Sequence, residues 1–335
     1  MAVLAIPVTI AVALILVPLL VKTLDRKAGW PLGLTFLALA GYVIKHADPI
    51  LNGKTATWSV TWIQGILTGA GGGAGAASAG GTADAAASTG LELALKMDAL
   101  GLFFTLLALL IGAVVFIYSA AYLHKGDKIM SFYVLMTSFM LAVLLLVLAD
   151  DVALLFIGWE LVSLASFFLI ARSGSGGEAG AIRTLLLTFV GGLFLLAALA
   201  ISVITTGTTN LTAMLHSPAW EGQDVRLAIV AVLIALAAFS KAAQIPFHFW
   251  LPEAMAADTP VSAFLHAAAV VKAGVYLLLR FSGLFEGVMA WHTLLIAIGM
   301  TTAIMGAVFA MQKTDLKKLT AYSTVSQLGL SLIHI

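Results

Sequence analysis

Residues 231–246 read AVLIALAAFSKAAQIP, an apolar run interrupted by one lysine and one proline. Lys241 lies about ten residues before Leu251, the expected inner end of this segment, which at about 1.5 Å per helical residue puts its side chain near the middle of a bilayer. Pro246 has no N–H to bond the carbonyl of Ala242, so we expect the helix to kink or open between residues 242 and 246. A helix that breaks beside a buried charge is how many membrane transporters build an ion site.

The composition of the whole chain supports this interpretation. Of 335 residues, 61% are hydrophobic and 10% are charged, against about 25% charged in an ordinary soluble domain. Seventeen basic and sixteen acidic residues leave a net charge of +1, which provides no basic surface for nucleic acid. Cysteine is absent, which excludes disulfides, thiolate metal sites and cysteine nucleophiles. The sequence predicts an all-α, polytopic membrane protein embedded in the lipid bilayer.

Apolar windows of about 20 residues, the length that spans a bilayer as a helix, recur along the chain. They cover residues 2–21, 30–45, 98–122, 129–149, 152–171, 182–205, 226–250, 259–281, 288–311 and 318–335. If all ten cross, ten Lys and Arg residues fall in loops on one side and five on the other. Because Lys and Arg gather on the cytoplasmic side, we expect about ten transmembrane helices in the cell membrane, with the N-terminus outside.

Residues 69–90, between the second and third windows, consist almost wholly of Gly, Ala, Ser and Thr. This composition cannot bury a core and is typical of a flexible coil. The segment is either a binding or assembly loop or a tolerated insertion, and we assign it no function.

Charged side chains inside the apolar windows are the main functional candidates, because each costs about 2.5 to 3.5 kcal/mol near the bilayer centre. Glu160 lies in the middle of the window 152–171, with no cation within one helical turn, so its partner must come from another helix. The alternative is a neutral carboxyl group hydrogen-bonded to Ser163. Lys241 and Lys272 are similarly deep, and Lys272 could instead be a charge-paired structural residue.

Two histidines accompany these charges. His248 lies seven residues after Lys241, on the same face if the helix resumes, and Pro252 and Pro260 then suggest a short turn and re-entry over residues 246–260. His266 and Lys272 are six residues apart, which places them about 120° apart on a helix, facing different neighbours. A lone histidine is often a packing residue. Together, one Glu, two Lys and two His in adjoining helices have the composition of a proton path.

The sequence gives little support for phosphate binding, metal binding, nucleophilic catalysis or haem ligation. The chain has no glycine-rich phosphate loop, no zinc-binding histidine pair and no nucleophile elbow. Haem ligation by His248 and His266 is weakly supported by two widely spaced histidines. We therefore expect no cofactor and no metal.

Several ordered motifs resemble a known family. They are FHFWLPEAM at 247–255, TPVSAFLH at 259–266, VKAGVY at 271–276 and TDLKKLTAYSTVSQLG at 314–329, together with Trp159-Glu160 and Ser240-Lys241. From about Leu91 onward the sequence resembles the proton-translocating antiporter-like family shared by complex I, membrane hydrogenases and Mrp-type Na+/H+ antiporters. The forms around His248, Lys272 and Ser163 resemble the large A subunit of the Mrp antiporter more than chain L of complex I.

The resemblance implies a fold of two five-helix bundles of inverted topology. The fourth to eighth windows would form the first bundle, with the seventh helix broken, and the second bundle is only begun within the chain. The implied regions are 1–97 (two helices and the Gly/Ala-rich extracytoplasmic loop), 98–128 (third helix and inner loop), 129–281 (proton half-channel) and 282–335 (start of the second repeat). The chain ends inside an apolar run, and family members carry several more helices, so we expect it to be C-terminally truncated.

The resemblance also implies roles for individual residues. Glu160 and Lys241 would be the paired central groups, His248, His266 and Lys272 relay residues, and Lys317 the link toward the second bundle. The implied function is that of a transporter subunit, not an enzyme, which moves H+ in exchange for Na+ within a hetero-oligomeric complex of membrane subunits. Two alternatives remain open: a proton-pumping subunit of the chain L type in NADH-quinone oxidoreductase, and a membrane scaffold without transport.

Overall fold

The computed structural model describes residues 2–63, 91–124, 128–172, 177–267 and 270–335. The Gly/Ala-rich loop at 69–90 lies outside these residues. The helices are α1 (Ala2–Leu24), α2 (Gly29–Lys45), α3 (Ala47–Leu51), α4 (Ala99–Tyr122), α5 (Ile129–Leu148), α6 (Val152–Ala171), α7 (Glu178–Thr206), α8 (Leu211–Leu215), α9 (Asp224–Lys241), α10 (Trp250–Glu253), α11 (Thr259–Ala267), α12 (Val270–Ser282), α13 (Met289–Met311) and α14 (Leu316–Ile333). The described part of the chain is therefore mostly helical, as the sequence predicts.

Seven helical stretches of the described residues are long and apolar enough to cross a membrane. They are Val3–Lys45, Ala99–Tyr122, Ile129–Leu148, Val152–Ala171, Glu178–Thr206, Thr259–Phe285 and Met289–Met311. The first contains both α1 and α2, and the sixth contains α11 and α12. The two remaining predicted windows correspond to α9 and α14, helices of 18 residues that carry charged side chains near one or both ends.

One end of the helices collects most of the basic side chains. In the turn after α1, Arg26 donates to the carbonyl of Leu123 beyond α4 at 3.3 Å. Arg172, after α6, donates to the carbonyl of Lys128 at 2.7 Å and lies 3.9 Å from the carboxylate of Asp258. These contacts define what we call the basic face, which includes Arg26, Lys128, Arg172, Arg183 and Lys317.

A two-stranded antiparallel sheet, β1 (Ala56–Ile63) with β2 (Leu91–Met97), lies at the opposite end. The backbone N–H of Asp150 donates to the carbonyl of Ala94 at 2.9 Å, which attaches β2 to the turn between α5 and α6. We call this end the hairpin face. The apolar windows gave no sign of these strands, although alternation at Leu93, Leu95 and Met97 is the period expected of one.

Five long helices pack in an order that closes on itself. Helix α5 contacts α6, α6 contacts α7, α7 contacts α9, α9 contacts α12, and α12 returns to α5. Small residues allow the close approaches, as is common in membranes: a methyl group on Gly274 of α12 would lie 2.5 Å from the carbonyl oxygen of Ala238 on α9. Helix α13 packs along α14, beside this ring of helices.

The helix predicted to break does so at the expected place. Helix α9 ends at Lys241, and short helical turns fill the chain up to α11. Side chains satisfy backbone groups freed by the break, as burial requires: the indole N–H of Trp250 donates to the carbonyl of Ser240 at 2.8 Å, and the hydroxyl of Thr302 on α13 accepts from the N–H of Ile245 at 3.2 Å.

The prolines of this region occupy different positions. Pro246 directly precedes the helical turn Phe247–Phe249, Pro252 lies inside the short α10, and Pro260 is the second residue of α11. The first turn of a helix tolerates proline because its N–H groups have no helical acceptor. Pro246 thus follows the end of α9, and Pro252 and Pro260 lie within short helical segments on the path to α11.

Candidate functional site

Lys241 is the last residue of α9 and has no exposed surface. Its ammonium donates a hydrogen bond to the backbone carbonyl of Trp159 on α6 and lies 4.1 Å from the centre of the Trp159 ring. A buried ammonium needs acceptors to offset the loss of water, and the face of an indole ring attracts a cation. The fully buried Trp159 thus supplies two separate contacts to the same charge.

Glu160 follows Trp159 directly, and its carboxylate interacts electrostatically with Lys241. The two side chains do not form a close ion pair: the ion pairs within the described residues join Arg172 to Asp258, Arg183 to Glu253 and Arg280 to Asp98. Oε1 of Glu160 has no hydrogen-bond partner within the part of the chain that the structure describes. The carboxylate can therefore accept a proton without first breaking a bond through Oε1.

The alternative expectation, a carboxyl group bonded to Ser163, is not what the structure shows. The hydroxyl of Ser163 donates to the carbonyl of Trp159 at 3.2 Å, within its own helix. Trp159 thus receives both this hydroxyl and the ammonium of Lys241 on one carbonyl oxygen.

Two adjacent glycines of α7 bring the three helices together, and the sequence reasoning missed them. A methyl group on Gly192 would lie 1.9 Å from Oε1 of Glu160, and one on Gly191 would lie 1.7 Å from the hydroxyl oxygen of Ser240, next to Lys241. A side chain at either position would force the Glu160 carboxylate or the Ser240 hydroxyl to move. The sequence feature that could have predicted this close approach is the Gly-Gly pair in the middle of an apolar helix.

His248 would share a face with Lys241 only if the helix resumed after the break. Because α9 ends at Lys241, no continuous helix carries the two residues, and this condition is not met. His248 lies in the helical turn Phe247–Phe249, with its ring 4.0 Å from that of Phe249 and 6.4 Å from that of Phe309 on α13. Its Nδ1 has no hydrogen-bond partner among the described residues.

His266 and Lys272 line the same cavity, so the expectation that they face different neighbours was also wrong. The cavity has a volume of about 340 Å³ and is lined by His266, Lys272, Thr324, Gln327, Leu328 and Ser331. A single helix, α14, faces both residues and contributes the other four. Nε2 of His266 contacts the sulfur of Met255 at 3.1 Å.

Lys317, in the first turn of α14, reaches back toward the break. Its ammonium donates to the carbonyl of Ala257 at 3.0 Å, between the short helices and α11. Within the described ranges, no hydrogen bond or ion pair joins Lys317, Lys272 or His266 to Lys241. The predicted residues thus form a central pair, Glu160 and Lys241, and a separate group around α14.

A further polar cluster at the hairpin face was not predicted. Arg280, at the end of α12, forms an ion pair with Asp98, the residue that caps α4, and donates to the hydroxyl of Tyr276 at 2.9 Å. That hydroxyl donates to the carbonyl of Val147 on α5 at 2.8 Å. The cluster joins α4, α5 and α12. Helix α12 is distant in sequence from α4 and α5, so the cluster could have been predicted only by knowing which helix ends lie next to each other.

The described residues contain no group of three or more His, Cys, Asp or Glu side chains that could hold a metal ion. The polar chemistry of the site consists of carboxylate, ammonium, imidazole and hydroxyl groups set among apolar helices. Such groups can accept, hold and release protons.

Comparison with known families agrees with this arrangement. Residues 149–335 match the family described as NADH:quinone oxidoreductase/Mrp antiporter, transmembrane. The chain belongs to this family. Residues 85–133 also match the family described as NADH-ubiquinone oxidoreductase (complex I), chain 5 N-terminus. The chain is thus a multi-pass membrane protein of the antiporter-like class that the motifs resemble.

Similar proteins include antiporter subunits. A Staphylococcus haemolyticus protein named as antiporter subunit mnhA2 is 33% identical over 320 residues, which cover 95% of this chain and 37% of that protein. Its namesake in Staphylococcus saprophyticus is 43% identical over 239 residues, 70% of this chain and 30% of that protein. The chain therefore spans about a third of the length of these relatives.

Two solved structures share the fold. A chain in the structure of the Mrp complex from Dietzia sp. DQ12-45-1b is 48% identical, with a TM-score of 0.85, and the match covers 97% of this chain and 33% of that one. A chain of an archaeal membrane-bound sulfane sulfur reductase has a TM-score of 0.75 at 21% identity, covering 99% of this chain and 64% of that one. The second likeness concerns the fold alone.

Proposed function

We propose that the chain is a proton-translocating membrane subunit of a multisubunit Mrp-type antiporter, which exchanges H+ for Na+ across the cell membrane. The observation that carries this proposal is the fully buried ammonium of Lys241, held on the carbonyl and ring of Trp159 beside the carboxylate of Glu160. A buried charge of this kind is costly and is retained in membranes chiefly for function.

The proposed mechanism is electrostatic. While Glu160 is ionised, its negative charge holds the proton on Lys241. When Glu160 takes up a proton, the ammonium keeps only the neutral carbonyl and ring of Trp159, and burial then favours the neutral amine. Lys241 releases its proton, which passes toward His266 and Lys272. Return of Glu160 to the ionised form resets the pair.

The remaining predicted residues have supporting roles in this proposal. His248, His266 and Lys272 relay protons, and Lys317 continues the path along α14. The breaks around Pro246, Pro252 and Pro260 leave room for polar side chains between α9 and α11. The basic face is assigned to the cytoplasm, with the N-terminus outside, because Lys and Arg gather on the cytoplasmic side.

The comparison with the Dietzia structure also supports a proposal about partner subunits. The Dietzia structure is that of an Mrp complex, and we propose that this chain likewise assembles with other membrane subunits. The alternative, a proton-pumping subunit of an NADH-quinone oxidoreductase, is less well supported because the 48% identical chain comes from an antiporter complex. Co-purification distinguishes the two: small Mrp subunits support the antiporter, and flavin and iron–sulfur subunits support the redox enzyme.

The test is Na+-driven proton flux in membrane vesicles that contain the assembled complex. We expect Lys241→Ala and Glu160→Gln to abolish flux while the protein still inserts, because each removes one member of the central pair. Lys45→Ala is the matched control, since Lys45 is exposed at the end of α2. Undiminished flux in Lys241→Ala would contradict the proposal and favour a scaffold.

A further inference from the structure

Two cavities lie along α14. The first, of about 450 Å³, is at the basic face and is lined by Arg183, Glu253, Met255, Lys318 and Tyr322, among others. The second, of about 340 Å³, contains His266, Lys272 and Gln327. Gln327 lies eleven residues into α14, about 16 Å along the helix from its start at the basic face. One cavity is thus near the membrane surface and the other is at membrane depth.

A side-chain contact joins a residue of the first cavity to a residue of the second. Met255 lines the first cavity, His266 lines the second, and the sulfur of Met255 lies 3.1 Å from Nε2 of His266. Met255 is 6% exposed, and its side chain lines the first cavity while contacting a residue of the second.

The chemistry of this contact blocks a proton relay. A histidine relays a proton by accepting it on one ring nitrogen and releasing it from the other. Nε2 of His266 faces a thioether, which is a weak hydrogen-bond acceptor and carries no exchangeable proton. In this arrangement Nε2 is closed by the thioether, and Nδ1 is buried without a hydrogen-bond partner among the described residues.

Basic residues from three helices hold the segment that carries Met255. Arg183 of α7 pairs with Glu253, and Lys317 of α14 donates to the carbonyl of Ala257 at 3.0 Å. Arg172, at the end of α6, lies 3.9 Å from Asp258. Met255 lies between these tethers, so relative movement of α7 and α14 would displace it.

From this geometry we infer that Met255 is the gate between the basic-face cavity and the cavity of His266 and Lys272. The inference rests on the proposed function and adds to it the residue that controls access to the relay. Withdrawal of Met255 would open a water-accessible route to Nε2 of His266.

The absence of cysteine from the chain makes a direct test possible. Gln327→Cys places one thiol in the deeper cavity while His266 and Lys272 remain. A small cationic methanethiosulfonate reagent that does not cross lipid is added to vesicles containing the assembled complex. Lys318→Cys, exposed at the start of α14, identifies the vesicles whose basic face is outward and confirms that the reagent reaches it.

We expect Met255→Ala to increase the labelling rate of Gln327→Cys about tenfold or more, the change in rate for a barrier lowered by about 1.4 kcal/mol. Met255→Leu keeps the shape of the gate and should leave labelling slow. Equal labelling with Met255 and with Met255→Ala, whether fast or absent in both, would overturn the inference. The labelling rate can be measured whether or not the complex moves protons, so the two proposals can fail separately. Faster labelling in Met255→Ala, in a complex that moves no protons, would support the gate and contradict the transport function.

Discussion

The carboxylate of Glu160 on α6 lies directly against the backbone of Gly192 on α7, where a methyl group would come within 1.9 Å of Oε1. The neighbouring Gly191 has the same relationship to Ser240 on α9, the residue before Lys241. Glu160 and Lys241 are therefore positioned by two glycines of α7, a helix that contains neither of them. The electrostatic coupling of the pair depends on how closely three helices approach.

Gly192→Ala tests this dependence. The added methyl group must displace the Glu160 carboxylate or separate α6 from α7, at a cost of about 1 to 3 kcal/mol in stability. We expect a large loss of Na+-driven proton flux in vesicles, with the protein still inserted. Gly41→Ala is the control, because a methyl group there meets no atom within 4 Å. Normal flux in Gly192→Ala would show that the carboxylate does not need its present position.

The ring of Trp159 is expected to stabilise the charged form of Lys241. Trp159→Phe keeps an aromatic face below the ammonium, whereas Trp159→Leu removes an attraction of about 2 kcal/mol for a desolvated cation. Proton flux measured in vesicles should therefore remain high in the first variant and fall strongly in the second. Both variants lose the indole N–H, which has no partner among the described residues. Equal flux in the two would indicate that the ring contributes only packing.

Arg280 is expected to contribute to stability, because it joins the ends of α4 and α12. Arg280→Met removes the cation that pairs with Asp98 and donates to the hydroxyl of Tyr276, at a cost of about 1 to 3 kcal/mol. Thermal unfolding of the purified protein in detergent measures this loss, with exposed Arg226→Met as the control on the same face. The double variant with Asp98→Asn should lose less than the sum of the single losses. Additive losses would mean that the ion pair contributes nothing.

Asp151 gives a pH-dependent test. It caps α6 by accepting from the N–H groups of Ala153 and Leu154. Burial is the main reason that its pKa lies above the ordinary value of 3.8; the charge of Asp150 raises the pKa further, and the two N–H groups oppose the shift. The folded state thus binds a proton more tightly than the unfolded state, so this carboxyl lowers stability as pH rises above 3.8.

Asp151→Asn keeps a capping oxygen and removes the charge. We expect it to be more stable than the parent protein at neutral pH, with the difference disappearing below the unfolded pKa, where both side chains are neutral. Asp151→Ala also loses the cap, at about 1 kcal/mol. Melting temperatures measured between acid and neutral pH check both variants. A gain that is independent of pH would contradict the assigned cause.

Sequence reasoning succeeded where the signal was local. The opening of the helix after Lys241 followed from Pro246 alone, and most of the long helices followed from apolar length. It failed where it assumed regular helical geometry: His266 and Lys272 were assigned to different neighbours although α14 faces both. The strands β1 and β2 were missed because the search used windows of helical length.

The sequence by itself determined that the chain is a multi-pass helical membrane protein, and it identified Glu160 and Lys241 as costly buried charges. These conclusions depend on transfer free energies, which are properties of single residues and short windows. Only the tertiary structure decided that the ammonium of Lys241 contacts Trp159, that Gly191 and Gly192 lie against Ser240 and Glu160, and that the sulfur of Met255 contacts His266. Those facts depend on distances between helices, and a distance of a few ångströms between residues far apart in the chain leaves no local pattern.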